Sequence, residues 1–392
     1  MRLQPDQAKD CKQSECVVSC RVSVTSWRQD MAPHCQHVLL RHTAGCVFQD
    51  LCERFPGVAE LQGVQQAYGW MALWSGVQAV PMVPEGFCVR HGGACHFPTA
   101  EVEVAGPTCT DFSPEGLRQG LSGPTLLPFL CWSRSILQSS TLRLVVFENV
   151  KEFPLELLEM MFSEHFHLYP FLLSPADFGF SLVRRQRRYV LMVSRRRAHL
   201  RHCPYRLMAS IVEGMATVRT APRHAWLAST AEVLDEVWQL AWPRWSRRSR
   251  RSPPASIVPC SPWDVLSSRE RAVVECCRDQ LWSSSVSPGE LQDVVMFLGD
   301  NAWSRRCWFT QIPTLRTNTG LLWCPGIGRW LTWRERLAVM GFPTYPQLAA
   351  ALGIPVWNPP PGVPAAQMAG NAMHVACVAC VLLTGLASVR QT

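Results

Sequence analysis

Glycine is missing from the first 44 residues of this chain, although the 392-residue sequence contains 24 glycines. Ligands of the nucleotide type often rest directly against backbone, and glycine is used there because a Cβ would hold the chain away from the ligand. The absence therefore excludes a glycine-rich ligand loop from this segment. Gly45 is the first glycine.

Long apolar runs are also missing. The longest, residues 374–389, has 16 residues, whereas a membrane-spanning helix needs about 20. The first 33 residues are polar and mixed, unlike a signal peptide. We therefore expect no membrane contact, a buried C-terminal helix, and an intracellular, monomeric protein. Its 18 cysteines are expected to be reduced.

Positive charge, in contrast, is concentrated in one segment. Residues 184–251 contain 16 arginines, no lysine and four acidic residues, a net charge of +12, whereas the whole chain carries only +8. An isolated basic run is usually a solvated face. Three clusters, at 184–188, 195–197 and 244–251, instead favour a polyanionic partner such as a nucleic acid.

Alternating strand and helix patterns predict an α/β fold. Residues 101–105 alternate as a strand does and lead into a turn, residues 106–116, that carries Cys109. The apolar run 142–147 is a second predicted strand, and it ends on Glu148 and Asn149. Open α/β sheets bind their ligands at the carboxyl ends of strands, so these side chains are expected at one edge. A single cysteine is nevertheless more often a buried structural thiol.

Two acidic residues and one Cys/His group lie in the first hundred residues. Asp30 precedes a predicted helix at 33–40, and a short strand is predicted at 45–51, with Asp50 near its end. Surface solvation is the default interpretation of each acid. Cys88, His91, Cys95 and His96 are metal-ligand types at close spacing, but structural zinc usually takes a second, separated ligand pair. No convincing pair is present, so we predict a loop without metal.

Composition divides the chain into three parts. Residues 1–200 and 311–392 are patterned like one compact α/β domain, and residues 201–310 are rich in Trp and Arg, which predicts a smaller inserted region. Within it, we predict an exposed loop at 245–262 and a helix at 267–282 that begins with a capping signal. In the last part, Thr332 and Glu335 form a capping box for a helix that Gly341 ends.

The motifs, taken together, resemble those of the cytosine-C5 DNA methyltransferases. Five blocks occur in that family's order, with the basic segment between the third and the fourth. They are the nucleophile loop Gly106-Pro107-Thr108-Cys109, the pair Glu148-Asn149, the run Asp177-Phe-Gly179 with Arg185-x-Arg187, the stretch Arg329 to Pro343, and Gly370-Asn371-Ala372. The resemblance implies a doubly wound, Rossmann-like methyltransferase sheet with an inserted target-recognition region.

The resemblance also implies roles. Cys109 would attack cytosine C6, Glu148 would protonate N3, and Asn149 would orient the Glu148 carboxyl group. Arg185 and Arg187 would contact the base and stabilise the thiolate. S-adenosylmethionine would be the methyl donor, with no metal, and double-stranded DNA with a flipped-out cytosine would be the substrate, in the nucleus of a eukaryote. The residues that would hold the donor are Asp30, Asp50, Leu51, Pro107 and Asn371.

One departure from the family keeps three functions open. The family's N-terminal glycine-rich loop, which holds the donor, has no counterpart before Gly45. The first function is DNA cytosine-C5 methylation. The second is methylation of tRNA, whose enzymes share these blocks; Glu148 to Phe153 and Cys307 to Thr310 resemble that branch. The third is a paralogue that binds nucleic acid without methyl transfer.

Overall fold

A computed structural model describes residues 22–23, 36, 40, 45–215, 220–249, 261–284, 286–299, 308–317, 320–359 and 365–390. Asp30 and, apart from Gln36 and Leu40, the helix predicted at 33–40 lie outside these ranges. The predicted loop at 245–262 lies partly outside them. Its first residues, up to Ser249, continue a helix instead.

Within the described ranges, eleven strands form three sheets. They are β1 (Val22–Ser23), β2 (Glu85–Cys88), β3 (Gly93–His96), β4 (Val102–Ala105), β5 (Leu144–Val150), β6 (Phe166–Leu173), β7 (Arg187–Ser194), β8 (Val295–Phe297), β9 (Trp308–Phe309), β10 (Leu322–Cys324) and β11 (Arg329–Trp330). The largest sheet has the order β1-β4-β5-β7-β6. β1, β4 and β5 are parallel, and β7 runs antiparallel to both β5 and β6.

The helices are α1 (Gln62–Ala79), α2 (Leu126–Gln138), α3 (Leu155–Phe162), α4 (Pro204–Met215), α5 (Thr230–Ser249), α6 (Pro262–Val265), α7 (Ser268–Trp282), α8 (Trp333–Val339), α9 (Pro346–Leu352), α10 (Ala365–Asn371) and α11 (Val375–Ser388). The predicted helix at 267–282 is confirmed as α7, which Ser267 and Glu270 cap reciprocally. The predicted capping box of α8 is also confirmed, and Gly341 follows it at φ 87°.

Both faces of the five-stranded sheet are covered by helices, because successive residues of β5 alternate between two cores. Val145 and Phe147 pack with α2, including its fully buried Trp132, in one apolar cluster. Val146 packs with α11 in another, on the opposite face. Burying an aromatic or large aliphatic side chain contributes about 1.5–3 kcal/mol each. The predicted α/β class is therefore confirmed: a mixed sheet lies between two helical layers.

A second core surrounds the four-stranded antiparallel sheet β11-β10-β8-β9. Helices α5, α6 and α7 contribute its apolar side chains, and Trp323 and Trp330 lie within it. Glu335, near the start of α8, connects β11 to the segment that precedes α5. The Glu335 carboxylate pairs with Arg329 and accepts the backbone N–H groups of Leu227 and Ala228.

The strand predicted at 45–51 is wrong. Residues 45–50 are irregular apart from a single bridge between Phe48 and Cys88, and Leu51–Arg54 is a turn of 3₁₀ helix. The Asp50 carboxylate caps that turn by accepting the Cys52 N–H at 2.8 Å. A side chain bonded to its own following backbone starts a helical turn and so ends an extended segment.

The C-terminal helix packs against the sheet. Residues Gln367–Ser388 are long and apolar enough to cross a membrane, judged by length and composition alone. Within this stretch, Cys377, Cys380 and Val381 are buried against the sheet. A Cβ on Gly385 would lie 2.7 Å from Leu191 Cδ1 on β7, so helix and sheet approach closely there. The sequence predicted a buried C-terminal helix, and α11 lies at that position.

The thiols differ from expectation at one residue. Among the cysteines that the structure describes, Cys277 forms a disulfide, whereas the others, Cys109 included, do not. Cys277 is buried on α7, in the second core.

Candidate active site

The loop that carries Cys109 begins directly after β4 and folds back on itself. The Cys109 carbonyl accepts the N–H groups of Phe112 and Ser113, at 3.0 and 2.8 Å, and the Thr110 carbonyl accepts the Leu117 N–H. A Cβ on Gly116 would meet the Thr110 carbonyl oxygen at 1.9 Å, so only glycine fits this crossing. The loop therefore presents Cys109 from a turn held by its own backbone.

Asp111 anchors this loop to helix α2. Its side chain is fully buried, and Oδ2 accepts both the N–H and the hydroxyl of Thr125, the residue before α2. A Cβ on Gly123 would lie 2.0 Å from the Asp111 carboxyl carbon. Carboxylates are favourable at a helix N-terminus, because the free backbone N–H groups there are positive. Asp111, two residues after Cys109, thus fixes the position of the loop relative to the core helix α2.

Glu148 extends past the end of β4. The last pair of that ladder is Ala105 with Phe147, so Glu148 is the first residue of β5 that β4 does not cover. Gly106, the residue after β4, lies next to Glu148. A Cβ on Gly106 would lie 3.4 Å from Glu148 Oε2 and 2.6 Å from Met373 Cε. Glu148 is buried, and its Oε1 has no hydrogen-bond partner among the described residues.

Asn149 connects β5 to the loop that carries Cys109. Its side-chain amide donates to the Pro107 carbonyl at 3.2 Å, and its Oδ1 accepts the Val150 N–H at 2.9 Å. The residue is almost wholly buried. Its described contacts do not include the Glu148 carboxyl group that the resemblance assigned to it. It holds Pro107, two residues before Cys109, instead.

Arg185 is buried and joins the C-terminal segment to the site. Its guanidinium donates to the carbonyls of Leu315, Gly370 and Ala372, at 3.2, 3.3 and 2.7 Å. Burial and the neighbouring Arg187 together lower the pKa of Arg185 to about 10, against the opposing effect of Glu148. Its Nε has no partner among the described residues.

Arg187 is the first residue of β7 and forms an ion pair with Glu148. Its Nε lies 3.4 Å from Glu148 Oε1, and both side chains are largely enclosed. Strand register brings the two side chains together. Arg187 lies opposite Val150 in the β5–β7 ladder, and Val150 is two residues from Glu148 on the same face of β5. Arg187 also reaches the cleft described below, so it links the buried carboxyl group to the outside.

Cys109 and Glu148 influence each other's protonation. Burial raises the pKa of the Cys109 thiol above its ordinary value of 9.0. The guanidinium groups of Arg187 and Arg185 lower this pKa, whereas the carboxyl group of Glu148 raises it. Burial likewise raises the pKa of Glu148 above 4.5, against the two arginines. Burial disfavours the charged form of each group, and a nearby opposite charge restores it.

A cleft of about 570 Å³ opens beside these groups. Its lining includes the loop Ser113–Glu115 together with Phe309–Thr310 and Pro313–Thr314. Its charged lining residues are Glu115, Lys151, Glu152, Arg184, Arg187 and Arg316. A volume of this size accommodates a ligand of nucleotide dimensions.

Four of the residues predicted to hold a methyl donor lie in the described part of the chain, each with contacts of its own. Asp50 caps a turn, Leu51 packs against the apolar core, and the carbonyl of the buried Pro107 is bonded to Asn149. Asn371 is exposed at the end of α10. The assignment of these residues to the donor stays a prediction.

Three features were missed by the sequence argument. Asp111 lies inside the matched motif, so its position two residues after Cys109 was a usable signal. Met373 and His374 follow the last matched block and reach the site through the fold alone. Burial and the neighbouring Arg185 lower the pKa of His374 to about 4, against a hydrogen bond to the Val339 backbone that raises it.

Comparison with known proteins gives distant structural likenesses. No protein-family model matches the chain, and no curated protein sequence matches it. The Dnmt2 methyltransferase of S. pombe is similar at 16% identity, over 73% of this chain and 77% of that one, with a TM-score of 0.38. The Entamoeba histolytica methyltransferase EhMeth has 12% identity, over 74% and 76%, with a TM-score of 0.38. A putative DNA modification methyltransferase from an E. coli prophage has 13% identity, over 74% and 79%, with a TM-score of 0.37.

Proposed function

We propose that this chain methylates C5 of cytosine in DNA through a covalent bond between Cys109 and C6 of the base. The observation that carries the proposal is the grouping at one strand edge: a thiol on a rigid turn, a buried carboxyl group with an unbonded oxygen, and two arginines. One of them, Arg187, lines a cleft of nucleotide size. The motif resemblance assigns the same residues to this reaction.

The chemistry begins at C6, because C5 of cytosine is a weak nucleophile. The Cys109 thiolate forms a bond to C6, and the electrons of the C5–C6 double bond move into the ring. N3 takes a proton, so the ring becomes a neutral enamine whose C5 carbon is nucleophilic. After C5 has been alkylated, loss of the C5 proton and departure of the Cys109 thiolate restore the double bond, and N3 returns its proton to Glu148.

Glu148 is suited to supply the proton to N3. Its raised pKa keeps the carboxyl group protonated to a higher pH than an ordinary glutamic acid, and its Oε1 has no hydrogen-bond partner among the described residues. Arg187, 3.4 Å from Oε1, stabilises the carboxylate that remains after the transfer. The two arginines also favour the Cys109 thiolate.

DNA is the proposed partner because the chain's positive charge is concentrated. The clusters in residues 184–251 suit phosphate contacts, which supply most of the sequence-independent affinity for nucleic acid. A base inside a duplex cannot reach a buried thiol, so the target cytosine would be flipped into the site. We propose S-adenosylmethionine as the methyl donor, and direct binding of the donor has to be measured separately.

The test uses DNA that contains 5-fluorocytosine. Fluorine at C5 cannot leave as a proton, so a methylated adduct stays bound to Cys109. We expect a covalent complex with S-adenosylmethionine for the full chain and for Cys203→Ser, an exposed cysteine outside the site, and none for Cys109→Ser. Failure of the full chain to trap either DNA or tRNA, together with no donor binding, would leave nucleic-acid binding without methyl transfer.

One observation favours RNA as a second candidate substrate. Phe309 and Thr310 belong to the stretch that resembles the tRNA-directed branch, and both line the cleft. The same trapping experiment with 5-fluorocytosine tRNA separates the substrates. An adduct with tRNA but not with DNA would replace the DNA proposal.

A further inference from the structure

A cluster of three cysteines and one histidine lies outside the proposed active site. Cys46, Cys88, His91 and Cys95 bring one ligand atom each to within 4.8 Å of one another. Cys88 is buried, Cys46 and Cys95 are partly exposed, and His91 is exposed. The proposed methyl transfer uses none of them.

The hairpin β2–β3 supplies three of the four residues. Cys88 ends β2, His91 lies in the turn, and Cys95 is on β3 opposite Gly86. The turn is tight, since the Gly92 N–H bonds to the Cys88 carbonyl at 2.8 Å and Gly92 has a φ of 65°. The sequence spacing already suggested this part of the group.

Cys46 is the ligand that the sequence argument lacked, and backbone docking brings it to the hairpin. The Val89 N–H bonds to the Val47 carbonyl at 2.8 Å, and Phe48 forms a bridge with Cys88. The Arg90 side chain donates to the Gly45 carbonyl at 2.8 Å. A structural zinc site usually takes a second, separated pair of ligands, whereas this fold supplies a single distant cysteine.

Hydrogen bonding alone does not explain the centre of the cluster. His91 Nδ1 lies 3.7 Å from the sulfur of Cys46, 3.5 Å from that of Cys88 and 3.1 Å from that of Cys95. One ring nitrogen either donates or accepts along a single direction, so it cannot bond to three thiols at once. A cation among the four atoms satisfies all of them together.

We propose that Cys46, Cys88, His91 and Cys95 bind a structural zinc ion. Zinc–sulfur and zinc–nitrogen bonds of about 2.3 and 2.0–2.1 Å at tetrahedral angles imply sulfur–nitrogen separations of about 3.5 Å. The three observed separations, 3.1–3.7 Å, lie around that value. Four protein ligands leave no open position, which is typical of structural rather than catalytic zinc.

The ion would fasten a region that has little apolar core of its own. Cys88 is the buried residue of the β2–β3 hairpin, and the other strand residues are exposed or partly exposed. Phe97 packs on Phe48 with ring centroids 4.5 Å apart, and Arg54 lies over the Phe97 ring. Zinc would thus fix the segment from Cys46 to Arg54 against the hairpin.

The first measurement is the metal content of the full chain, purified without a metal-binding tag under reducing conditions. We expect about one zinc per chain. Exchange for Co²⁺ should give the visible bands of a tetrahedral cobalt–thiolate centre, which needs no variant and so does not depend on any variant's folding. Zinc-free protein that takes up neither Zn²⁺ nor Co²⁺, or a disulfide between two of these cysteines, would overturn the proposal.

Variants then test the ligand set. Cys46→Ser should lose its zinc on dialysis against a chelator that leaves the unaltered chain loaded, whereas Cys203→Ser should keep it. His91→Cys replaces nitrogen by sulfur, and a four-cysteine site still binds zinc, so this variant should keep the metal and shift the cobalt bands. Retention of zinc by Cys46→Ser equal to that of the unaltered chain would contradict the assignment. These readouts require neither nucleic acid nor methyl donor, so failure of the proposed function would not affect them.

Discussion

The two sides of the five-stranded sheet are built differently. On one side, β5 is paired with β7 along its whole length, and the polar residues at its end are buried and held by register or by backbone contacts. On the other side, β1 is described at Val22–Ser23, and residues 45–50 are irregular apart from one bridge and lead into a turn capped by Asp50. The first side holds the proposed base-attacking groups, and the second holds Asp50 and Leu51, two of the residues predicted to contact the methyl donor.

This difference separates two activities that one reaction combines. Attack on C6 needs Cys109, Glu148 and the arginines, all of which the structure groups together. Binding of the donor is predicted to need a different set of residues, which includes Asp50 and Leu51. Reversible attack on C6 makes C5 exchange its hydrogen with water, so tritium release from [5-³H]cytosine DNA without donor measures the first activity alone.

The largest expected effect comes from removing the nucleophile. Cys109→Ser should lose tritium release and adduct formation entirely, because a serine hydroxyl is not ionised at neutral pH. Donor binding, measured by calorimetry, should equal that of the unaltered chain. Cys203→Ser is the matched control, and loss of donor binding in Cys109→Ser would break the separation between the two sides.

Glu148→Gln should slow base attack by about 10²–10⁴-fold, because general acid catalysis typically contributes that much. It should also change the pH profile. Burial raises the pKa of both Glu148 and Cys109. At a pH between the two pKa values, the thiolate fraction of Cys109 increases with pH while the protonated fraction of Glu148 decreases by the same factor. The rate of the unaltered chain should therefore be constant over this range of pH, giving a plateau.

Without the acid, the rate should rise about tenfold per pH unit below the pKa of Cys109, since only the thiolate fraction then varies. The measurement is single-turnover tritium release as a function of pH. Glu152→Gln, an exposed carboxyl group of the cleft, should keep the plateau. A plateau in Glu148→Gln would show that another group protonates N3.

Asn149→Ala should have an intermediate effect. It removes the bonds to the Pro107 carbonyl and the Val150 N–H, and a lost buried hydrogen bond costs about 1–3 kcal/mol. We expect a lower Tm and, well below that Tm, adduct formation slowed about tenfold by the loosened Cys109 loop. An unchanged rate at that temperature would restrict Asn149 to a structural role.

The smallest effect is expected on the opposite side of the sheet. Asp50→Ala removes the cap of the Leu51–Arg54 turn, which should cost about 1 kcal/mol of unfolding free energy, as cap removal does. Tritium release without donor should not change, whereas methyl transfer should fall if Asp50 holds the donor. Glu60→Ala, at an exposed carboxylate nearby, is the control. A fall in tritium release would show that the two sides are coupled.

Much of the proposed attacking site followed from sequence, because its residues lie at the ends of strands that local patterns identify. The apolar run before Glu148 and the alternation before Gly106 place both residues at one sheet edge in any parallel pairing. The strand predicted at 45–51 failed for a local reason: the Asp50 side chain bonds to the backbone two residues later. The boundaries of the inserted region stay predictions.

By itself, the sequence determined the α/β class, the loop that presents Cys109 and three members of the Cys/His group, because each depends on periodicity or short spacing. Only the tertiary structure decided that Asn149 holds Pro107, that Asp111 anchors the Cys109 loop to α2, and that Cys46 joins the hairpin 42 positions later, at Cys88. These contacts join segments far apart along the chain. Their geometry is set by strand register and by the close approaches that Gly106 and Gly123 permit, and neither is encoded in a local pattern.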